Sequence, residues 1–124
     1  MWEQISDFIS TQRVKRKLTT YGSNLRARNA GEFFLGKGAE IHVGNNVLLE
    51  RMVRFSMGDG ARIYIGDNSY VGDWSNLLAV DEIRIGKGCA ISWHVLFMDT
   101  SSHPIGFAGE KPVTKIAPIH VEDH

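Results

Sequence analysis

The chain holds a single cysteine, Cys89, among 124 residues, so no disulfide can form within it. A disulfide-stapled secreted fold is thereby excluded, and a reducing cytoplasmic setting is the expectation. Charge of one sign is also missing, since 14 Lys and Arg stand against 14 Asp and Glu. That balance gives no global attraction to nucleic acid or to an anionic membrane. No apolar run approaches the roughly 18 residues that a bilayer-spanning helix needs, so no transmembrane segment is expected. The first ten residues carry Glu3 and Asp7 and no basic stretch, which does not read as a secretory signal. The hydrophobic fraction of 43% is ordinary, and the length suits one domain. Proline is scarce, at three residues, while glycine is plentiful, at thirteen. That contrast points to repetition.

Five segments share one pattern: an apolar residue, glycine, two turn-tolerant positions, then a small or β-branched residue. They are Leu35-Gly36-Lys37-Gly38-Ala39, Val43-Gly44-Asn45-Asn46-Val47, Ile65-Gly66-Asp67-Asn68-Ser69, Val71-Gly72-Asp73-Trp74-Ser75 and Ile85-Gly86-Lys87-Gly88-Cys89. The apolar position recurs at six-residue spacing, from Val43 to Leu49 and Phe55, Ile65 to Val71 and Leu77, and Ile85 to Ile91 and Phe97. Three such hexads make one triangular coil of about eighteen residues, the unit of a parallel β-helix. The first residue of each hexad points into the prism. The fifth also points inward, near a corner where Ala, Ser, Cys or Val fits, which makes Cys89 a buried structural thiol. Gly38, Asn46, Asn68 and Gly88 take the corner, where a positive φ favours Gly and Asn. The coil starts Val43, Ile65 and Ile85 lie 22 and 20 residues apart. The residues beyond eighteen are expected near Met57-Gly58-Asp59-Gly60 and Val80-Asp81-Glu82, both turn-forming stretches.

Ahead of the repeat, Trp2 to Leu18 reads as an amphipathic helix, with Trp2, Ile5, Phe8, Ile9 and Gln12 at helical spacing. Its apolar stripe is expected to cover the open end of the first coil. The run Arg13, Lys15, Arg16, Lys17 offers a weak peripheral contact to an anionic membrane or a lipid-linked substrate. A solvated helix end accounts for it more simply. The domain plan is thus a helix and capping segment at 1–30 and an all-β solenoid at 31–124, interrupted by a loop at 100–118. A loop extruded from a rigid solenoid is where a function is grafted.

The loop and the coil before it carry the motifs. Ser101-Ser102-His103-Pro104 opens the loop and Lys111-Pro112-Val113 closes it. Repetition resumes at Ile119-His120-Val121-Glu122-Asp123-His124, and Asn76-Leu77-Leu78-Ala79-Val80-Asp81 lies one coil earlier. Together these resemble the sugar O-acetyltransferases of the hexapeptide-repeat acyltransferase family, the galactoside and maltose acetyltransferases and their polysaccharide-modifying relatives. The likeness covers the last half of the chain through its motifs and the rest through the repeat. It implies a left-handed parallel β-helix, a homotrimer, acetyl-CoA as acyl donor and a sugar or polysaccharide-precursor acceptor. It also implies that His103 is the catalytic histidine and Asn76 the active-site asparagine.

The chemistry suits those residues. A thioester carbonyl is already electrophilic, so the harder task is activating a hydroxyl, for which an imidazole titrates near the working pH. His103 is therefore the candidate general base, and Asn76 a hydrogen-bonding group for the acceptor or the tetrahedral centre. Glu110 and Asp99 are candidates for orienting the imidazole. Asp81 is a candidate acceptor contact or a turn cap. Phe107, with Ile105, Gly106 and Ala108, is placed to shape the acceptor pocket. Trp74 and Trp93 are candidates for stacking on a sugar ring, or for corner packing. His42 and His120 precede inward residues and should face solvent, and His94 lies at a corner. His120 and His124, four apart, would share a face on a helix but not on a strand, so no metal site is expected.

The resemblance implies further coils after residue 124, holding much of the coenzyme A site, so no coenzyme-binding residue is assigned. A chain ending here is expected to be weak or inactive as an isolated enzyme. Two other readings are open: a zinc-dependent hydratase like the γ-class carbonic anhydrases, which share the prism, and a non-catalytic β-helix oligomerisation module.

Overall fold

The computed structural model describes residues 1–29, 31–100 and 116–124. Helix α1 (Trp2–Lys15) leads into a parallel β-solenoid. Strands β1 (Thr20–Tyr21), β2 (Arg26–Ala27) and β3 (Phe33–Leu35) make the first coil. The second holds β4 (Glu40–Val43), β5 (Leu48–Leu49) and β6 (Arg54–Met57). The third holds β7 (Arg62–Ile65), β8 (Tyr70–Val71) and β9 (Asn76–Ala79), and the fourth β10 (Glu82–Ile85), β11 (Ala90–Ile91) and β12 (Leu96–Met98). Strand β13 (Ile119–Val121) starts another coil after the loop. The first face stacks β1-β4-β7-β10-β13, the second β2-β5-β8-β11 and the third β3-β6-β9-β12.

The register puts like on like. Ile41, Ile63 and Ile83 stack in one inward column, and Val43, Ile65 and Ile85 in the next. All six are buried, as are Leu49, Val71, Phe55 and Leu77 on the other faces. Period-two alternation then leaves His42, Tyr64, Arg84 and His120 in one column on the outside of the first face. The residues beyond eighteen all fall at the corner between the third and first faces. There the step from Leu77 to Ile85 is two residues shorter than the step from Phe55 to Ile65. Asn24, Asn46 and Asn68 hold positive φ at the first-to-second corner, and their side-chain amides bond coil to coil at 3.1 and 3.0 Å. The neighbouring position makes a second ladder. Asp67 Oδ1 accepts the Asn45 N–H at 2.7 Å and Asp123 that of Lys87 at 2.8 Å, and at the second-to-third corner Asp73 does the same for Arg51 at 3.0 Å. Each carboxylate thus ties its own coil to the one before.

The repeat begins earlier than the hexads alone indicated. Strand β1 pairs with β4 and β2 with β5, so Tyr21-Gly22-Ser23-Asn24-Leu25 is a further instance of the pattern within the 1–30 segment. Leu35, in the inward column of Met57 and Ala79, remains 39% exposed because no coil lies above it.

Helix α1 corrects an expectation. Trp2, Phe8 and Ile9 are 81, 65 and 55% exposed, while Ser10, Thr11 and Val14 are the buried residues. The apolar stripe therefore faces away from the solenoid. The reason lies in what an open strand edge requires, which is hydrogen-bond partners before apolar cover. Thr11 Oγ1 accepts the Ala27 N–H at 3.0 Å and donates to the Asp7 carbonyl at 2.7 Å. A small polar face can approach the edge closely enough to do this. Trp2 and Phe8 could not.

Candidate functional site

The fourth coil ends at Asp99. Asp99 is 3% exposed, and its carboxylate accepts three backbone N–H groups from the corner that joins the third coil to the fourth. Oδ1 takes Val80 at 2.7 Å, and Oδ2 takes Asp81 at 2.7 Å and Glu82 at 2.9 Å. The main chain of Asp99 joins in, its carbonyl accepting the Ala117 N–H at 2.9 Å. Thr100 and Ile116 form an antiparallel bridge. The two ends of the loop are therefore held together on a corner that Asp99 braces. This corner is also the shortened one, and at the same corner two coils earlier Asp59 does similar work by accepting the Lys37 N–H at 2.8 Å.

Asp81 and Asp99 are thus brought together, through the Asp81 main chain. Asn76 lies at the opposite end of β9, facing outward beside Arg54 and Leu96 in register. Four residues of strand, roughly 13 Å, separate it from the corner at Val80. Its Nδ2 donates to the Trp74 carbonyl at 3.4 Å. Trp74 and Trp93 flank His94 there, the Trp74 ring stacked on His94 at 6.2 Å and the Trp93 ring edge-on at 6.0 Å. Both tryptophans are exposed. His103, Phe107 and Glu110 lie outside the described residues. Leading to the corner along the edge of the third face is an open groove of about 560 Å³, lined by Phe34, Leu35, Ser56, Met57, Leu78 and Val80.

The sequence reading missed Glu82. On the outside of the first face its carboxylate accepts from His120 Nε2 at 2.7 Å and lies 3.6 Å from both Arg62 and Arg84. The His120 hydrogen bond, chiefly, holds the Glu82 carboxyl below the usual carboxylate range against the effect of burial, with Arg84 and Arg62 adding to it. The hub pins β13, beyond the loop, to β10. Only the alternation of Glu82-Ile83-Arg84-Ile85 against Arg62-Ile63-Tyr64-Ile65 could have shown it. His42 and His120 both lie on the outer side of this face, His42 stacked on Tyr64 at 5.1 Å. Cys89 is buried, its Sγ donating to the Glu122 carbonyl at 3.1 Å. Among the described residues, no group of three or more His, Cys, Asp or Glu converges to hold a metal ion, and no helix is long and apolar enough to cross a membrane.

The fold and its repeat define the chain as a parallel β-solenoid built on hexapeptide repeats. No family model matches it, and no solved structure does. A curated relative from Klebsiella pneumoniae, described as an uncharacterized 24.8 kDa protein in cps region, is 33% identical over 79 residues. Those residues cover 64% of this chain and 35% of the relative, so the match spans about a third of the relative's length.

Proposed function

We propose that this chain carries an acyl-transfer site that moves an acetyl group from acetyl-CoA to a hydroxyl of a sugar or polysaccharide precursor. The observation that carries this reading is the braced corner. Through Asp99 it fixes the base of the loop bearing His103-Pro104 to the coil bearing Asn76-Leu77-Leu78-Ala79-Val80-Asp81. The apolar groove ending at Val80 gives a substrate an approach to that base. The name of the Klebsiella pneumoniae relative, which places it in the cps region, supports a role in polysaccharide biosynthesis.

In this reading the acceptor oxygen attacks the thioester carbonyl carbon while the His103 imidazole takes the hydroxyl proton. The carbon–sulfur bond then breaks, and the proton passes to the departing coenzyme A thiolate. Asp99 has three of its roughly four acceptor positions filled by backbone amides, which leaves Glu110 as the better candidate to orient the imidazole. The working assembly is a homotrimer, in which a neighbouring coil faces the loop. The test is thiol release from acetyl-CoA with a panel of sugar acceptors, comparing the chain with His103→Ala. A general base contributes about 10²–10⁴-fold, so the variant should lose at least a hundredfold. Equal measurable rates in the two chains remove His103 from the mechanism.

A further inference from the structure

Helix α1 presents to the outside a face whose composition fits a lipid surface better than water. At about 100° per residue, Trp2, Ile5, Phe8, Ile9 and Arg13, with Arg16 capping the helix in the same backbone conformation, fall within one arc of about 140°. All six are exposed. The opposite side holds the buried Ser10, Thr11 and Val14. Both acids of the helix lie on that inner side, and Asp7 is 3.6 Å from Arg28 of the first coil. The outward arc thus combines two large aromatics, two isoleucines and two arginines with no carboxylate. Lys17, also exposed, follows at its edge.

From this separation we infer that α1 is a membrane-surface helix, lying in the headgroup region of an anionic bilayer and holding the solenoid beneath it. Amphipathic helices of this kind sink Trp and Phe into the acyl boundary while Arg and Lys meet anionic headgroups. Placing the acids on the solenoid side is what the lipid requires, since a carboxylate on the outer arc would repel it. A second copy on the same face would cover Arg13 and Arg16 with no acid to neutralise them, at the cost that attends unpaired buried charge. A layer of anionic lipid supplies that neutralisation. The inference does not depend on the acyl-transfer reading.

The experiment is co-sedimentation of the chain with vesicles of phosphatidylcholine alone and of phosphatidylcholine mixed with phosphatidylglycerol. Binding should be at least about tenfold stronger to the anionic mixture and should weaken with added salt. Arg13→Gln with Arg16→Gln should reduce that binding by about thirtyfold, each surface charge being worth about 1 kcal/mol. Trp2→Ser with Phe8→Ser should reduce binding to both vesicles. These side chains are exposed, so an unchanged thermal midpoint in each variant shows that the fold is intact. Three results would overturn the inference: no binding to either vesicle, equal binding by the variants, or self-association that the same substitutions abolish.

Discussion

Replacing Asp99 with alanine should destabilise the chain more than any other single polar substitution at the loop base. The carboxylate accepts three backbone N–H groups at 2.7, 2.7 and 2.9 Å. Hydrogen bonds to a charged group contribute about 1.5–3 kcal/mol each. The three amides are only partly shielded, so water recovers some of the loss, and a net cost of about 3–4 kcal/mol is expected. Asp99→Asn should cost about half of that, because the amide keeps one acceptor oxygen but turns an NH₂ toward the remaining donors. In urea, with a slope of about 2 kcal/mol/M, the alanine variant's midpoint should fall by about 1.5–2 M. Amide exchange should quicken first at Val80, Asp81 and Glu82. A loss under about 1 kcal/mol for Asp99→Ala, or equal losses for the two variants, would mean that the carboxylate does not brace the corner.

Three further predictions follow from other parts of the fold. A Cβ at Gly66 would lie 2.6 Å from the Gly86 carbonyl carbon, whereas at Gly58 nothing is closer than 3.8 Å. Gly66→Ala should therefore cost about 2–4 kcal/mol and Gly58→Ala less than about 0.5, as measured by thermal or urea unfolding. The Glu82 carboxyl lies below its ordinary value of 4.5, so the unfolded chain binds that proton more readily than the folded one. Its contribution is present above pH 4.5 and is lost as pH falls, so Glu82→Gln should flatten the acid limb of the stability profile. If the proposed acyl-transfer site is right and the Asn76 amide meets the acceptor or the tetrahedral centre, Asn76→Ala should lower thiol release from acetyl-CoA by about ten- to a hundredfold, with little change in stability. An unchanged rate would leave Asn76 as a corner residue.

The solenoid was legible because its physics repeats. One glycine-containing hexad is uninformative, but Ile65, Val71 and Leu77 followed by Ile85, Ile91 and Phe97 at constant spacing leave little else to fold into. The corner insertions were legible as well, since Gly58, Asp59 and Gly60 break the apolar rhythm. The first coil was missed because Tyr21, Ala27 and Phe33 are mixed in size, and its arginines mask the inward positions. The orientation of α1 was missed for a different reason. A helical stripe tells which residues share a face, but the docking side was chosen by the hydrogen bonds that the β2 edge needs from Thr11. Asp99 and Glu82 act through pairings across 17 to 38 positions, which no local pattern displays. Of the proposed site, the sequence showed the motifs, while the brace joining them became visible only with the register.

Alternate residues of each rung point into a dry, stacked core. Thiol labelling reads this directly in a Cys89→Ala background, which removes the one native cysteine. Cysteines placed at Tyr64 and at Arg84, on the outside of β7 and β10, should react with an aromatic disulfide reagent at the rate of a free thiol. Cysteines at Ile65 and Ile83 should react only as fast as the fold opens, slower by several orders of magnitude. Labelling of the Ile65 and Ile83 positions as fast as Tyr64 and Arg84 would mean that these side chains do not point into a closed core.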